Sequence, residues 1–75
     1  MPLIQVKVMA GLFSPEQKRE MIVKLTDAMV SIEGEALRSV TWCVVEEVQS
    51  GDWGIGGKPL CPQDVHALGA GSSVG

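Results

Sequence analysis

Two strand-like runs joined by one helical segment constrain this 75-residue chain more than any other feature. The run LIQVKVM at 3–9 alternates between two faces, and VTWCVVEEV at 40–48 is rich in β-branched residues. One helix between two strands makes a βαβ unit, which predicts an α/β fold with parallel strands and a right-handed crossover. A single helix covers only one face of such a sheet, so we expect another copy of the chain to cover the other.

The length of the chain favours the same conclusion. Seventy-five residues make one domain, and so small a domain buries little core unless disulfides, a metal or oligomerisation support it. Cys43 and Cys61 are too few for a disulfide framework and lack CxxC spacing, and His66 is the only histidine, so we expect no metal site. Oligomerisation remains, and a hydrophobic content of 45% supports it.

The segment between the strands carries clear helix signals at both ends. The letters SPEQ place Ser14 as the N-cap, Pro15 at the first helical position and Gln17 where it closes a capping box. Gly34 supplies the stop, so we predict a helix from Pro15 to about Glu33.

One stripe of this helix is apolar at helical spacing, which is typical of a helix packed along one face. Its members are Met21, Ile22, Leu25, Ala28, Met29 and Ile32. On the exposed side, Glu20 and Lys24 form a favourable i,i+4 pair. The second strand is apolar on both faces until Glu46, which predicts a strand buried on both sides.

The end of the chain is rich in glycine. The run SGDWGIGGKPL at 50–60 predicts a turn and a short hairpin, and 62–68 adds a turn of helix. The last segment, 69–75, has no apolar pattern and is predicted to be a flexible tail after a single domain at 1–68.

Charge and hydropathy exclude several classes of function. A net charge of −3 without a Lys/Arg cluster argues against a nucleic-acid partner. No stretch approaches the roughly 18 apolar residues of a membrane span. The run at 3–9 is too short and too polar for a signal peptide core, so we expect a cytoplasmic protein with reduced thiols.

Pro2 has two interpretations. Proline has no amide N–H for a ladder but is tolerated at the first residue of a strand, so an edge proline with Met1 attached is the simpler one. If Met1 is removed, Pro2 carries a free secondary amine. Apolar burial and a neighbouring cation would lower its pKa below the roughly 7.7–8.0 of an ordinary chain terminus. Such an amine acts as a general base and then returns its proton as a general acid.

Two tryptophans stand out because the chain has only three aromatic residues. Trp42 fits either the core or a subunit interface. Trp53 lies in a glycine-flanked hairpin, where a large apolar ring needs a packing partner; an interface and a pocket wall explain it equally well. Cys43, inside an apolar strand, is interpreted as a core residue.

Three features together resemble the tautomerase superfamily, and most closely its small 4-oxalocrotonate tautomerase-like group. They are Pro2 before a short strand, SPEQK at the start of the helix, and GDWGIGG at 51–57. The resemblance covers residues 2 to about 60. It implies a cofactor-free isomerase whose N-terminal proline, freed by loss of the initiator methionine, moves a proton between carbon and oxygen of an enol or ketone. It also implies a βαβ unit with a C-terminal hairpin that assembles into dimers and commonly hexamers.

The resemblance assigns roles to two residues directly. Pro2 matches the catalytic proline, and Trp53 matches the aromatic residue that lines the pocket and helps to keep the pKa of the amine low. On this basis Trp53 becomes a predicted pocket wall.

The family's two carboxylate-binding arginines are missing. One follows the first strand in well-studied members, where this chain has Leu12 and Phe13; the other lies in the second strand, where it has Thr41 or Trp42. Arg38, a few residues earlier, is a candidate to reach the substrate but is not the equivalent residue. We therefore expect a more apolar pocket, suited to an aromatic enol or a neutral carbonyl compound. Its predicted walls are Leu12, Phe13, Trp42 and Trp53.

Two other functions stay open. A hydratase, dehalogenase or decarboxylase of the same superfamily would keep the proline but would need a carboxylate that activates water, for which Glu46 or Glu47 is the candidate. A non-catalytic oligomeric binding or scaffold protein would explain the loss of both arginines. It would also tolerate a retained Met1, which would convert the Pro2 amine into an amide without basicity.

Overall fold

The computed structural model describes residues 1–71. Its elements, in chain order, are β1 (Leu3–Met9), α1 (Pro15–Glu33), a 3₁₀ helix (Glu35–Val40), β2 (Trp42–Val48), β3 (Trp53–Ile55), β4 (Lys58–Leu60) and α2 (Pro62–Gly71). The chain divides into two compact units. The first unit comprises residues 1–7 and 13–46, and the second comprises residues 8–12 and the chain from residue 47 onward.

Strands β1 and β2 pair with each other in parallel, as the sequence predicts. In the first unit the Trp42 amide donates to the Pro2 carbonyl at 3.0 Å. In the second unit the Ala10 amide donates to the Val48 carbonyl at 2.7 Å. Each bond joins corresponding ends of the two strands, which is the pattern of a parallel pair. The βαβ arrangement is therefore confirmed.

Strand β2 starts two residues later than predicted. Residues 35–40 form a 3₁₀ helix instead, in which the Leu37 amide donates to the Gly34 carbonyl at 3.1 Å and the Thr41 amide to the Arg38 carbonyl at 3.2 Å. The Thr41 hydroxyl also donates to the Leu37 carbonyl at 2.8 Å. These local bonds outweigh the strand preference of Val40.

The expectation that β2 is buried on both sides is wrong for the single chain. Trp42 is 55% exposed and Val44 is 38% exposed, whereas Cys43 and Val45 on the opposite side are half-buried. The interior is correspondingly small, since only three hydrophobic side chains among residues 1–68 are buried: Val8, Met9 and Val30.

Helix α1 has the predicted bounds and the predicted cap. The Gln17 amide donates to Ser14 Oγ at 3.1 Å, and the Ser14 amide donates to Gln17 Oε1 at 2.9 Å. The helix ends at Gly34, whose φ of 105° favours glycine. Lys24 Nζ lies 2.6 Å from Glu20 Oε2, which confirms the i,i+4 pair.

The buried side of α1 differs from the predicted stripe. Of the members of the stripe only Met21 and Met29 are half-buried, whereas Ile22, Leu25 and Ala28 are exposed. Ile32, a member of the stripe, is 83% exposed, whereas Val30, outside it, is buried. Two polar residues, Thr26 and Glu33, take less exposed positions beside Val30's side of the helix. Glu33 tolerates this because Thr41 hydrogen-bonds its carboxylate. A pattern built from apolar residues alone misses such positions.

The second unit contains the predicted hairpin. Strands β3 and β4 are antiparallel, with Trp53 opposite Leu60 and Ile55 opposite Lys58. The two-residue loop is Gly56-Gly57, and both residues have positive φ, 60° and 81°. This is the geometry of the tight turns that match the twist of a hairpin, and glycine adopts it without a steric penalty.

Helix α2 is longer than the predicted turn of helix at 62–68. It continues to Gly71 and so includes residues 69–71, which the sequence analysis assigns to the tail. The remainder of that segment, 72–75, lies outside the described residues.

Candidate functional site

Pro2 is half-buried and lies immediately before β1. Its carbonyl accepts the 3.0 Å hydrogen bond from the Trp42 amide, so the residue is anchored to the start of β2. The pyrrolidine ring fixes φ, and the carbonyl bond fixes the other side of the residue. A free amine at this position would therefore be held by the sheet rather than left on a loose terminus.

The structure brings Trp42, a predicted site residue, directly to Pro2 through this backbone bond. Its side chain and that of Leu3 are each 55% exposed. The start of the strand pair thus presents two large apolar side chains near the Pro2 backbone. Such a surface can desolvate an amine once it is covered by a ligand or by another copy of the chain.

Phe13 lies in the first unit, one residue before the Ser14 cap, and is 37% exposed. Leu12 lies in the second unit and is half-buried, with its amide 3.4 Å from the Met9 carbonyl. Gly11, with a φ of 90°, allows the chain to turn there after β1.

Trp53 lies in the second unit at the start of β3 and is half-buried. It faces Leu60 across the hairpin in the register of the two strands. The residues from 54 to 59 are all exposed, so Trp53 is the most covered side chain on the β3 side of this hairpin.

Arg38 lies in the 3₁₀ helix and is bound by two carboxylates. Its Nε donates to both carboxylate oxygens of Glu35 at 3.1 Å, and its Nη1 donates to Asp27 Oδ1 at 2.8 Å. The hydrogen bond to Glu35, and to a lesser degree the one to Asp27, raises the pKa of the Arg38 guanidinium above its ordinary value. The predicted substrate-binding arginine is therefore already engaged within its own unit.

Thr41, one of the two residues aligned with the missing second-strand arginine, is also engaged. Its hydroxyl bonds the Glu33 carboxylate and the Leu37 carbonyl. Sequence analysis missed Glu33, Asp27 and Glu35 as neighbours of this region. The i,i+3 spacing of Glu35 and Arg38 was a usable signal. Asp27 is eleven residues from Arg38 in the sequence, so no local spacing indicates their contact.

Glu46, the candidate carboxylate for water activation, lies 3.5 Å from Lys7 Nζ through its Oε1. Both side chains are largely exposed. Within residues 1–71 no group of three or more His, Cys, Asp or Glu side chains has an arrangement that could hold a metal ion. Over the same residues, no helix combines the length and apolar character needed to cross a membrane.

The second unit contains an open groove of about 400 Å³ between β4 and α2. It is lined by Lys58, Pro59, Leu60, Asp64, Ala67 and Leu68. None of the residues predicted for the site is among them.

Comparison with known proteins gives a consistent result. A family model described as "Tautomerase enzyme" matches residues 2–61. A protein described as "Probable tautomerase K2", from Dickeya dadantii strain 3937, is 29% identical over 60 residues, which are 80% of this chain and 88% of that protein.

Solved structures agree in fold. One of the 4-oxalocrotonate tautomerase isozymes from Methylibium petroleiphilum is 31% identical with a TM-score of 0.69, and the match covers 85% of this chain and 97% of that one. TomN, a 4-oxalocrotonate tautomerase homologue in the tomaymycin biosynthetic pathway, is 27% identical with a TM-score of 0.71. That match covers 88% of this chain and 95% of TomN.

Proposed function

The chain belongs to the tautomerase family, and from that premise we propose that it interconverts the enol and keto forms of a small carbonyl compound without a cofactor. Pro2, freed by removal of Met1, is the proposed acid–base group. The observation that carries this proposal is the position of Pro2. The residue is half-buried and anchored by its carbonyl to Trp42, which would fix the amine relative to a bound substrate.

The proposed reaction is a proton transfer that balances within the substrate. The nitrogen lone pair of Pro2 takes the proton of the enol hydroxyl and leaves an enolate, whose carbonyl forms from an oxygen lone pair as the C=C electrons move to carbon. The electrons of the C=C bond then take the same proton from the Pro2 ammonium onto carbon. Nothing is oxidised or reduced, and the amine is neutral again at the end, as general acid–base catalysis requires.

The remaining site residues stay predictions. Leu12, Phe13, Trp42 and Trp53 are the proposed apolar residues of the substrate site. Their common property is that they offer no charge to a carboxylate, which supports a neutral or aromatic substrate. Arg38 is proposed to influence which substrates are accepted.

We also propose that the protein works as a homo-oligomer, a dimer or a hexamer, in the cytoplasm. Support for an oligomer comes from the exposed apolar face at Leu3, Trp42 and Val44, together with the small interior of the single chain. Both cysteines are free thiols, which agrees with a reducing compartment.

The test combines intact mass with an assay for ketonisation of a simple aryl enol. We expect the mass to lack one methionine and kcat/KM to fall by about a hundredfold or more in Pro2→Ala, because general acid–base catalysis contributes roughly 10²–10⁴. Pro15→Ala is the matched control, since it removes a proline that only starts α1.

The other outcomes have clear meanings. A retained Met1 on protein from its native host would exclude the amine mechanism and favour a non-catalytic oligomer. Full activity in Pro2→Ala would exclude a specific role for the proline ring. A stable product heavier than the substrate by one water would instead indicate a hydratase. That result would direct attention to Glu46, the carboxylate that lies beside Lys7.

A further inference from the structure

Arg38 is the centre of a small acidic cluster in the first unit. The Arg38 Nε donates to both carboxylate oxygens of Glu35, and its Nη1 donates to Asp27 Oδ1. Glu33, bonded to Thr41, adds a third carboxylate nearby in sequence. We call Asp27, Glu35 and Arg38 the arginine clamp. Its two carboxylates outnumber its one guanidinium, so the clamp carries a net charge of −1.

The clamp is linked to Pro2 by a short backbone route. The Arg38 carbonyl accepts the Thr41 amide at 3.2 Å, and the next residue, Trp42, donates its amide to the Pro2 carbonyl at 3.0 Å. Two hydrogen bonds and one peptide link therefore connect Arg38 to the proposed catalytic residue. The backbone of Arg38 is therefore close to the strand end that carries Pro2.

The geometry points to Asp27 and Glu35 as specificity-determining residues. By holding Arg38, they make the Pro2 site favour neutral carbonyl compounds over carboxylates. This inference rests on the proposed function, because it concerns the choice of substrate for the Pro2 reaction. A substrate carboxylate that recruited Arg38 would have to displace two carboxylates that already bind it.

The size of the effect follows from exposure. The side chains of Arg38, Asp27 and Glu35 are 45%, 55% and 73% exposed, so solvent screens their interactions. Exposed pairs contribute little individually, and a bidentate contact combined with a second partner contributes more. Release of Arg38 should therefore change substrate preference by about three- to tenfold, not by orders of magnitude.

The experiment uses an aryl enol that carries a carboxylate and its methyl ester as a matched pair. In Asp27→Asn/Glu35→Gln, we expect the ratio of kcat/KM for the acid to that for the ester to rise about three- to tenfold. The change should lie in KM for the acid, because the freed guanidinium binds a carboxylate that does not react. Adding Arg38→Ala to this double variant should abolish the gain.

Glu20→Gln is the matched control for net charge. It removes one carboxylate from the same helix, but Glu20 pairs with Lys24 and not with Arg38. The acid-to-ester ratio should be unchanged in this variant. Asp27→Asn alone, which keeps the Glu35 contact, should give a smaller rise and serves if the double variant folds poorly.

The outcomes separate this inference from the proposed function. An unchanged ratio in the double variant, with the ester still turned over, would overturn the inference and leave the proposed function intact. The same applies to a gain that survives Arg38→Ala. If wild-type protein with a free Pro2 turns over neither compound, the proposed function and the inference fail together.

Discussion

Pro2 at the start of β1 and Pro15 at the start of α1 are both prolines, but the ring has a different role at each position. At Pro15 the missing N–H costs nothing, because the first amides of a helix have no intrahelical partner. The Ser14–Gln17 box satisfies the neighbouring groups, and only the fixed φ of the ring matters. At Pro2 the carbonyl is bonded to Trp42, and the nitrogen is the group for which the structure gives no hydrogen-bonding role.

The start of α2 repeats the arrangement of α1 with other atoms. Cys61 precedes Pro62 as Ser14 precedes Pro15, and Asp64 takes the position of Gln17. The Cys61 amide donates to Asp64 Oδ2 at 2.8 Å, and its thiol lies 3.3 Å from the same oxygen. A proline preceded by a capping group and followed by a side chain that bonds back thus marks a helix start. Pro2 has neither partner, and this is the difference that suggests chemistry.

The largest expected effect comes from blocking the Pro2 nitrogen. A short N-terminal extension that cannot be processed keeps Pro2 as an amide, and we expect turnover of the aryl enol to fall to background. The loss should exceed that of Pro2→Ala, since an alanine terminus still offers a primary amine. Circular dichroism should show the same fold. Turnover equal to wild type in the extended protein would show that the Pro2 nitrogen has no catalytic role, so that Pro2, like Pro15, would be a structural proline.

The next effect concerns stability and not activity. Ser14→Ala removes the acceptor for the Gln17 amide, so we expect the free energy of unfolding to fall by about 1 kcal/mol. Urea unfolding measures the change, and activity per folded molecule should be preserved. Ser31→Ala is a suitable control, because the hydroxyl of Ser31 bonds only a carbonyl within the helix.

The smallest effect is a difference in acid sensitivity between the two helix starts. Hydrogen bonds from the Cys61 amide and thiol lower the pKa of Asp64 below its ordinary value of 3.8. A lowered pKa in the folded state means that the carboxylate stabilises α2 above pH 3.8 and that this contribution is lost as the pH falls through the folded pKa.

The comparison with α1 supplies the control for this titration. Gln17 does not titrate, so amide exchange at the start of α1 should respond less to acid than exchange at Cys61. Asp64→Asn should remove the acid response of α2, and Gln17→Glu should introduce one into α1. Equal acid responses of the two starts in the wild-type protein would contradict the assignment.

The fold was predictable wherever the deciding interactions are local. The Ser14–Gln17 box, the Gly34 stop and a short hairpin within 50–60 each depend on residues close in sequence, and each was predicted from the sequence. The start of β2 was misplaced because Thr41 bonds Leu37 and Arg38, a choice that strand preference does not reveal.

The site was less predictable, for a physical reason. Pro2 is predicted to act in catalysis because its position, together with SPEQK and GDWGIGG, resembles the family pattern, and this role stays a prediction. The position of the Arg38 guanidinium depends on Asp27, which is remote in sequence, so the arginine clamp could be identified only in the structure. The sequence also left Trp42 open between the core and a subunit interface, because a pattern of apolar residues does not show whether the chain itself or another copy covers them; in the single chain Trp42 is exposed.

The small interior of this chain makes protein concentration a physical variable. Three buried side chains in the described part, beside a broad exposed apolar face, leave much of the stabilising surface to be covered from outside. Anything that binds only the folded state stabilises it by mass action. In the proposed assembly that ligand is the protein itself. Dilution then favours dissociation and unfolding, so the melting temperature depends on the protein concentration as well as on the sequence.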